Sequence, residues 1–222
     1  MWTMLKQVLY AQWLASRTPV VLLALLGFAL PLFAVYWGSG LEAAGTAGVA
    51  VWMAGSESIA ALLPYLALLV GVAAGFMAWS PDHAGHHVYA LSLPVPRPLF
   101  VALRFVVGAA LSCVPAVALL AGALIAGLSV SLPDGLHAYP FQLTVRFLFA
   151  TLTIYSIIFA LAIATRRAQL LTAGIIGGVL FADVLLAALS VDYSVTSQVL
   201  LWLTVWPGPL SILGGSWALF DV

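Results

Sequence analysis

Five long apolar runs dictate where this chain can fold. They cover roughly Pro19–Trp37, Ile59–Trp79, Leu99–Leu128, Gln142–Ala164 and Leu170–Leu189. Each is near or above the ~20 residues that carry a helix across ~30 Å of hydrocarbon. Lipid offers no partner to backbone N–H and C=O groups, so such runs become helices, which pair those groups internally. Composition agrees: 6% of the 222 residues are charged and 64% are hydrophobic. A soluble domain carries about 25% charged residues to keep its surface hydrated. The formal net charge is zero, which provides no basic field for nucleic acid. Cys113 is the single cysteine, so no internal disulfide can form.

A sixth run begins near Val199 and is interrupted by Pro207-Gly208-Pro209 and Gly214-Gly215. It fits a short span, a re-entrant segment or a helix with an unwound middle. Before the first span, Trp2, Leu5, Leu9 and Trp13 recur at helical spacing, with Thr3, Lys6, Gln7 and Arg17 on other faces. That pattern suits a helix over residues 1–17 lying in the headgroup plane; the alternative is the start of one long first span. The expected fold is therefore an all-α integral membrane protein, a single domain over residues 1–222. It has an amphipathic interfacial helix and six transmembrane helices, five of them clear and the last short or broken.

Basic residues set the orientation. Lys6, Arg17, Arg97, Arg104, Arg166 and Arg167 fall at the amino terminus or at the second and fourth turns between spans, and only Arg146 lies at the opposite side. The positive-inside rule then places the amino terminus in the cytoplasm of a multi-pass protein in a cytoplasmic (inner) membrane. Glu42, Glu57, Asp134 and Asp192 face outward. Six spans return the carboxyl terminus to the cytoplasm; five leave it outside.

The second turn carries the most distinctive residues. Between two apolar runs stands the sequence Gly85-His-His-Val-Tyr-Ala-Leu-Ser-Leu-Pro-Val-Pro-Arg97. Pro81 can open a helix and Pro94 can stop one, so about three helical turns are expected between them. His83, His86, His87 and Tyr89 would supply polar and aromatic contacts there, with Leu91 and Leu93 as anchors. The bland reading is a solvated loop, and the three histidines also invite a metal reading. The second lacks a cysteine or a further acidic ligand beyond Asp82.

This segment resembles the cytoplasmic coupling loop of type-two ATP-binding-cassette exporter permeases, often Gly-Thr-Leu-Glu-Leu-Leu-Leu-Ser-Leu-Pro-Val-Ser-Arg. Gly85, Leu91, Ser92, Leu93, Pro94, Val95 and Arg97 match it in register without gaps. Val88 stands where glutamate is frequent, His86 where threonine is common and Pro96 where serine is. The resemblance implies a permease that dimerises, as a homodimer or heterodimer. It also implies recruitment of a separate ATPase through a coupling loop over residues 81–97. Gly85, His86, His87, Tyr89, Leu91, Ser92, Leu93, Pro94 and Arg97 are the implied contacts. A weaker likeness extends to the compact permease subunit of haem export in cytochrome c maturation.

The chain contains no Gly-x-x-x-x-Gly-Lys-Ser/Thr phosphate loop, so ATP and magnesium are expected on the partner. No cofactor and no enzyme activity are expected here. His-Glu-x-x-His, Cys-x-x-Cys and Gly-x-Ser-x-Gly do not occur either. Asp183 lies inside the fifth run, where a carboxylate costs several kcal/mol unless neutralised, paired or hydrated. Folding the fourth run back brings Thr151 and Tyr155 near its depth, as hydrogen-bond partners or as a shared translocation path, and Arg146 is a more distant candidate. Gly174 and Gly178 lie nearly opposite Asp183, at the spacing that permits close helix packing. Two alternatives to transport stay open: a structural membrane subunit whose loop docks another partner, and an intramembrane enzyme using Asp183, Tyr155 and Arg146.

Overall fold

A computed structural model describes residues 2–38, 60–84, 96–129, 137–163, 195–205, 208, 210–214 and 217–221. It also describes Leu171, Gly174, Ile175, Gly178, Phe181, Ala182 and Leu186, all helical. Three helices are long and apolar enough to cross a membrane, at Lys6–Tyr36, Arg97–Ser129 and Pro140–Ile163, with a shorter apolar one at Leu63–Trp79. The chain is an all-α protein of membrane-embedded character.

Helix α1 is a single 37-residue helix, Trp2–Gly38, about 55 Å long. It joins the segment expected to lie separately on the membrane surface to the first apolar run. Pro19, expected to mark the boundary, sits inside it together with Pro31. Proline removes one backbone hydrogen bond, yet membrane helices carry it because neighbouring groups take up the freed carbonyl. The amino-terminal half also presents its faces in reverse of a soluble helix. Gln12 and Ser16 are buried, whereas Leu9, Tyr10, Trp13 and Leu14 are exposed.

Helices α2 (Leu63–Ala84), α3 (Arg97–Ser129) and α4 (Pro140–Ile163) complete the bundle. Glycines set how closely they approach. Gly27 of α1 faces Pro115 and Leu119 of α3, and Gly122 of α3 faces the Phe28 backbone, so α1 and α3 run parallel. Gly71 of α2 faces Thr151 and Ile154 of α4, and Gly75 faces Ile158 and Phe159, so this pair is parallel too. A Cβ on Gly71 would stand 2.7 Å from Ile154 Cβ, which only a glycine avoids.

The bundle therefore has two distinct ends. From the loop end, where α2 stops at Ala84 and α3 starts at Arg97, the chain leaves into residues 85–95. At the opposite, tail end, β1 (His137–Ala138) pairs antiparallel with β2 (Phe220–Asp221), joining His137 to Asp221 and Ala138 to Phe220. The Tyr139 N–H donates to the Leu219 carbonyl at 2.9 Å. The Arg146 guanidinium lies 5.0 Å from the centre of the Trp217 ring. Behind this strap, Leu30, Pro31, Ala34, Ala60, Leu63, Leu143, Leu219 and Phe220 line a partly open apolar pocket with a cavity volume of about 20 Å³.

Two compact units divide the chain: residues 1–159 with 216–222, and residues 160–215. In the second, α5 (Val195–Thr204) is a 10-residue helix of about 15 Å, roughly half the hydrocarbon thickness. It ends in turns, with the Leu210 N–H donating to the Leu203 carbonyl at 2.8 Å and a 3-10 turn at Ser211–Leu213. The interruption read at Pro207–Pro209 thus follows a short helix.

Candidate functional site

The buried polar side chains among the described residues are Gln12, Ser16, Arg104, Ser112 and Thr151, all in the first unit. Arg104 organises the loop end. It lies two turns into α3 and is only 7% exposed. Phe100, one turn earlier on the same helix, places its ring 4.8 Å from the guanidinium carbon; Trp79 of α2 places its ring at 5.1 Å. Arg104 Nη1 donates to the Ala78 carbonyl, also on α2. A cation stacked on two aromatic rings keeps much of the stabilisation it loses on leaving water.

Aromatic packing extends the cluster onto α4. Trp79 lies 5.5 Å from Phe159, and Phe105 lies 5.2 Å from both Phe159 and Tyr155. Tyr155 is fully buried, and its hydroxyl donates to the Phe105 carbonyl at 3.0 Å. Gly108 leaves the space that the phenol occupies. One turn further, Ser112 Oγ donates to the Gly108 carbonyl at 2.9 Å. Arg104, Gly108 and Ser112 thus form a polar and small-residue line along one face of α3, because a four-residue step returns to that face.

Two further polar atoms in this region have no hydrogen-bond partner among the described residues: Trp79 Nε1 and Thr151 Oγ1. Gln12 Oε1 is a third, on α1, where Ser16 Oγ donates to the Gln12 carbonyl at 2.7 Å. A buried hydroxyl or indole N–H without a partner costs on the order of 1–3 kcal/mol. With Arg104 Nε, whose neighbour Nη1 is bonded to the Ala78 carbonyl, four buried polar atoms of this bundle have no hydrogen-bond partner among the described residues. The cluster has no nucleophile paired with a base. Among the described residues no group of three His, Cys, Asp or Glu could hold a metal ion.

Gly85, His86, His87, Tyr89, Leu91, Ser92, Leu93, Pro94 and Asp183 lie outside the described residues. Arg97 opens α3 and is exposed. Helix α2 passes Pro81 and ends at Ala84, so Pro81 does not open a separate helix as the sequence suggested. Thr151 and Tyr155 are brought together in the bundle core. The Tyr155 hydroxyl, expected to face Asp183, donates to α3. Gly71 and Gly75 sit against α4, while a Cβ on Gly174 or Gly178 would meet nothing within 4 Å. Beside those two glycines, Leu171, Ile175 and Phe181 are exposed.

Sequence reasoning missed Arg104 as a site residue and used it only as a marker of orientation. The available signal was a charge two turns inside an apolar run with Phe100 four residues before it.

No protein-family model, curated protein or solved structure matches the chain. The likeness to exporter permeases rests on the residues of the second turn.

Proposed function

We propose that this chain is the permease subunit of an ATP-binding-cassette transporter working as an exporter, with ATP and magnesium bound by a separate ATPase. The observation that carries the reading is the Leu91–Arg97 sequence in a turn between two apolar helices, α2 and α3. The packing beneath that turn supports it. Arg104, Trp79 and Phe100 bind the end of α2 to the start of α3, which gives a docked partner a firm base to act on. Polar side chains inside the bundle, with Tyr155 and Thr151 at their centre, suit a path through the membrane. A second permease copy completes the transporter, and the exposed face around Gly174 and Gly178 is available for it.

In this reading the loop end is cytoplasmic and the tail end is outside. Helix α4 starts at the tail end, and residues 217–221 pair back onto its start. The chain between residues 163 and 217 then crosses the membrane an odd number of times. The Leu170–Leu189 run is long and apolar enough to supply one such crossing. Five crossings with an outer carboxyl terminus fit this better than six.

The test is Leu91→Asp. A carboxylate forced into an apolar cleft costs several kcal/mol, so the variant should insert normally and lose its ATPase. Retained assembly and unchanged hydrolysis would show an ordinary loop, and capture of a partner without a phosphate loop would favour a structural subunit.

A further inference from the structure

The Arg104 cluster lies under the turn that the exporter reading assigns to the ATPase, and its geometry does something that packing alone would not. The guanidinium belongs to α3, yet its hydrogen bond to the Ala78 carbonyl reaches α2, as does its stacking on the Trp79 ring. The contact therefore bridges the feet of the two helices that the turn connects. Phe100 covers the other face of the guanidinium from within α3, which fixes the direction in which the planar fork points. Trp79 and Phe105 then pack on Phe159, and Phe105 on Tyr155, so a shift of the cluster bears directly on α4.

A leucine or methionine would fill the same volume, and replacing a buried charge by an apolar side chain of similar size is often neutral or stabilising. What an arginine adds is direction: a rigid, planar donor that holds one carbonyl and stacks on aromatic faces. A directional link at the feet fixes the register of the two helices where a force would enter.

We infer that Arg104 is the positioning residue that makes the end of α2 and the start of α3 move as one piece, so that displacement of the turn reaches the spans. The inference rests on the reading of that turn as the ATPase contact. Arg104 acts on α2 through Ala78 and Trp79.

The test uses the full chain with its ATPase subunit in lipid nanodiscs, in a Cys113→Ala background. An environment-sensitive label at Leu128→Cys reports from the far end of α3, where Leu128 is 86% exposed. The signal is the label's change between ADP and ATP with vanadate. Arg104→Met should keep ATPase assembly and hydrolysis but lower the label response about tenfold, as expected from losing one buried charged hydrogen bond. Arg104→Lys should fall between, since lysine keeps the charge and loses the fork and the stacking. In the same samples, amide exchange across residues 76–84 should rise in Arg104→Met. Should that variant not fold, Arg104→Lys and Phe100→Leu carry the same comparison.

Unchanged exchange would overturn the lock itself. Raised exchange with an intact label response would overturn its part in coupling. A wild-type chain that recruits no ATPase would overturn the exporter reading and this role with it, while the exchange measurement still decides whether the lock exists.

Discussion

At the loop end of the bundle, Trp79, Arg104 and Tyr155 are buried and tied to named carbonyls and ring faces. At the tail end, Leu30, Pro31, Ala34, Leu63 and Leu143 surround open apolar space, and the closure is a strap of backbone from elsewhere in the chain. One end is held by directional contacts among helices, the other by a peptide segment laid across them. A bundle built this way is stiff where the turn between α2 and α3 leaves it and accommodating where the tail closes it. That is the asymmetry a transporter needs if force enters at one end and the opposite end changes shape.

The largest effect should come from emptying the stiff end. Tyr155→Ala removes a fully buried ring and should destabilise the protein by about 3–5 kcal/mol. Tyr155→Phe keeps the ring, loses only the hydroxyl contact with Phe105, and should cost about 1 kcal/mol. Thermal-shift measurement in detergent separates the two; equal losses would mean that the ring's packing is not what holds this end.

Next in size is a matched pair of enlargements. Ala78→Leu at the loop end has no space, since Ala78 is fully buried, and should cost about 1–3 kcal/mol. Ala34→Leu at the tail end lines the small apolar pocket and should cost less than Ala78→Leu, by about 1 kcal/mol. If both cost the same, the contrast between the ends is not real.

Trp217→Ala probes the strap. It removes the ring under the Arg146 guanidinium and should cost about 1 kcal/mol, with faster proteolytic cleavage of residues 216–222 as the sharper readout. Helix α4 itself should remain protected. Smallest of all is Gly178→Leu, which should change the stability of the isolated chain by no more than about 0.5 kcal/mol, because nothing lies within 4 Å of that position. Its effect should appear only as reduced dimer yield on native gels, if a second copy covers that face.

Much of the helical core was legible because hydrophobic length alone specifies it. The run expected over Leu99–Leu128 is α3, Arg97–Ser129, and Gln142–Ala164 is α4, Pro140–Ile163. Gly71 and Gly75 stand four residues apart, a spacing that permits close helix packing, and both meet α4. For residues 1–17, the spacing of Trp2, Leu5, Leu9 and Trp13 left two readings, an interfacial helix or the start of one long first span, and one continuous helix runs through both segments. Arg104 was hidden for a different reason. An arginine near a helix end reads as a snorkelling surface charge, and only the tertiary placement of Trp79 and Ala78 turns it inward. The tail strap was equally unreadable, since pairing between residues 137–138 and 220–221 leaves no local pattern in either segment.

The proposed orientation puts the two ends on opposite sides of the membrane, with the turn inside and the tail outside. Single cysteines placed at His86, Gly135 and Ala218 in a Cys113→Ala background, reacted with a membrane-impermeant maleimide on intact cells, test this in one experiment. The account predicts labelling at 135 and 218 and none at 86 until the membrane is opened. Labelling at 86 from outside would contradict the placement of the turn and the exporter reading with it. Protection at 218 alongside labelling at 135 would contradict the strap that joins the tail to the start of α4.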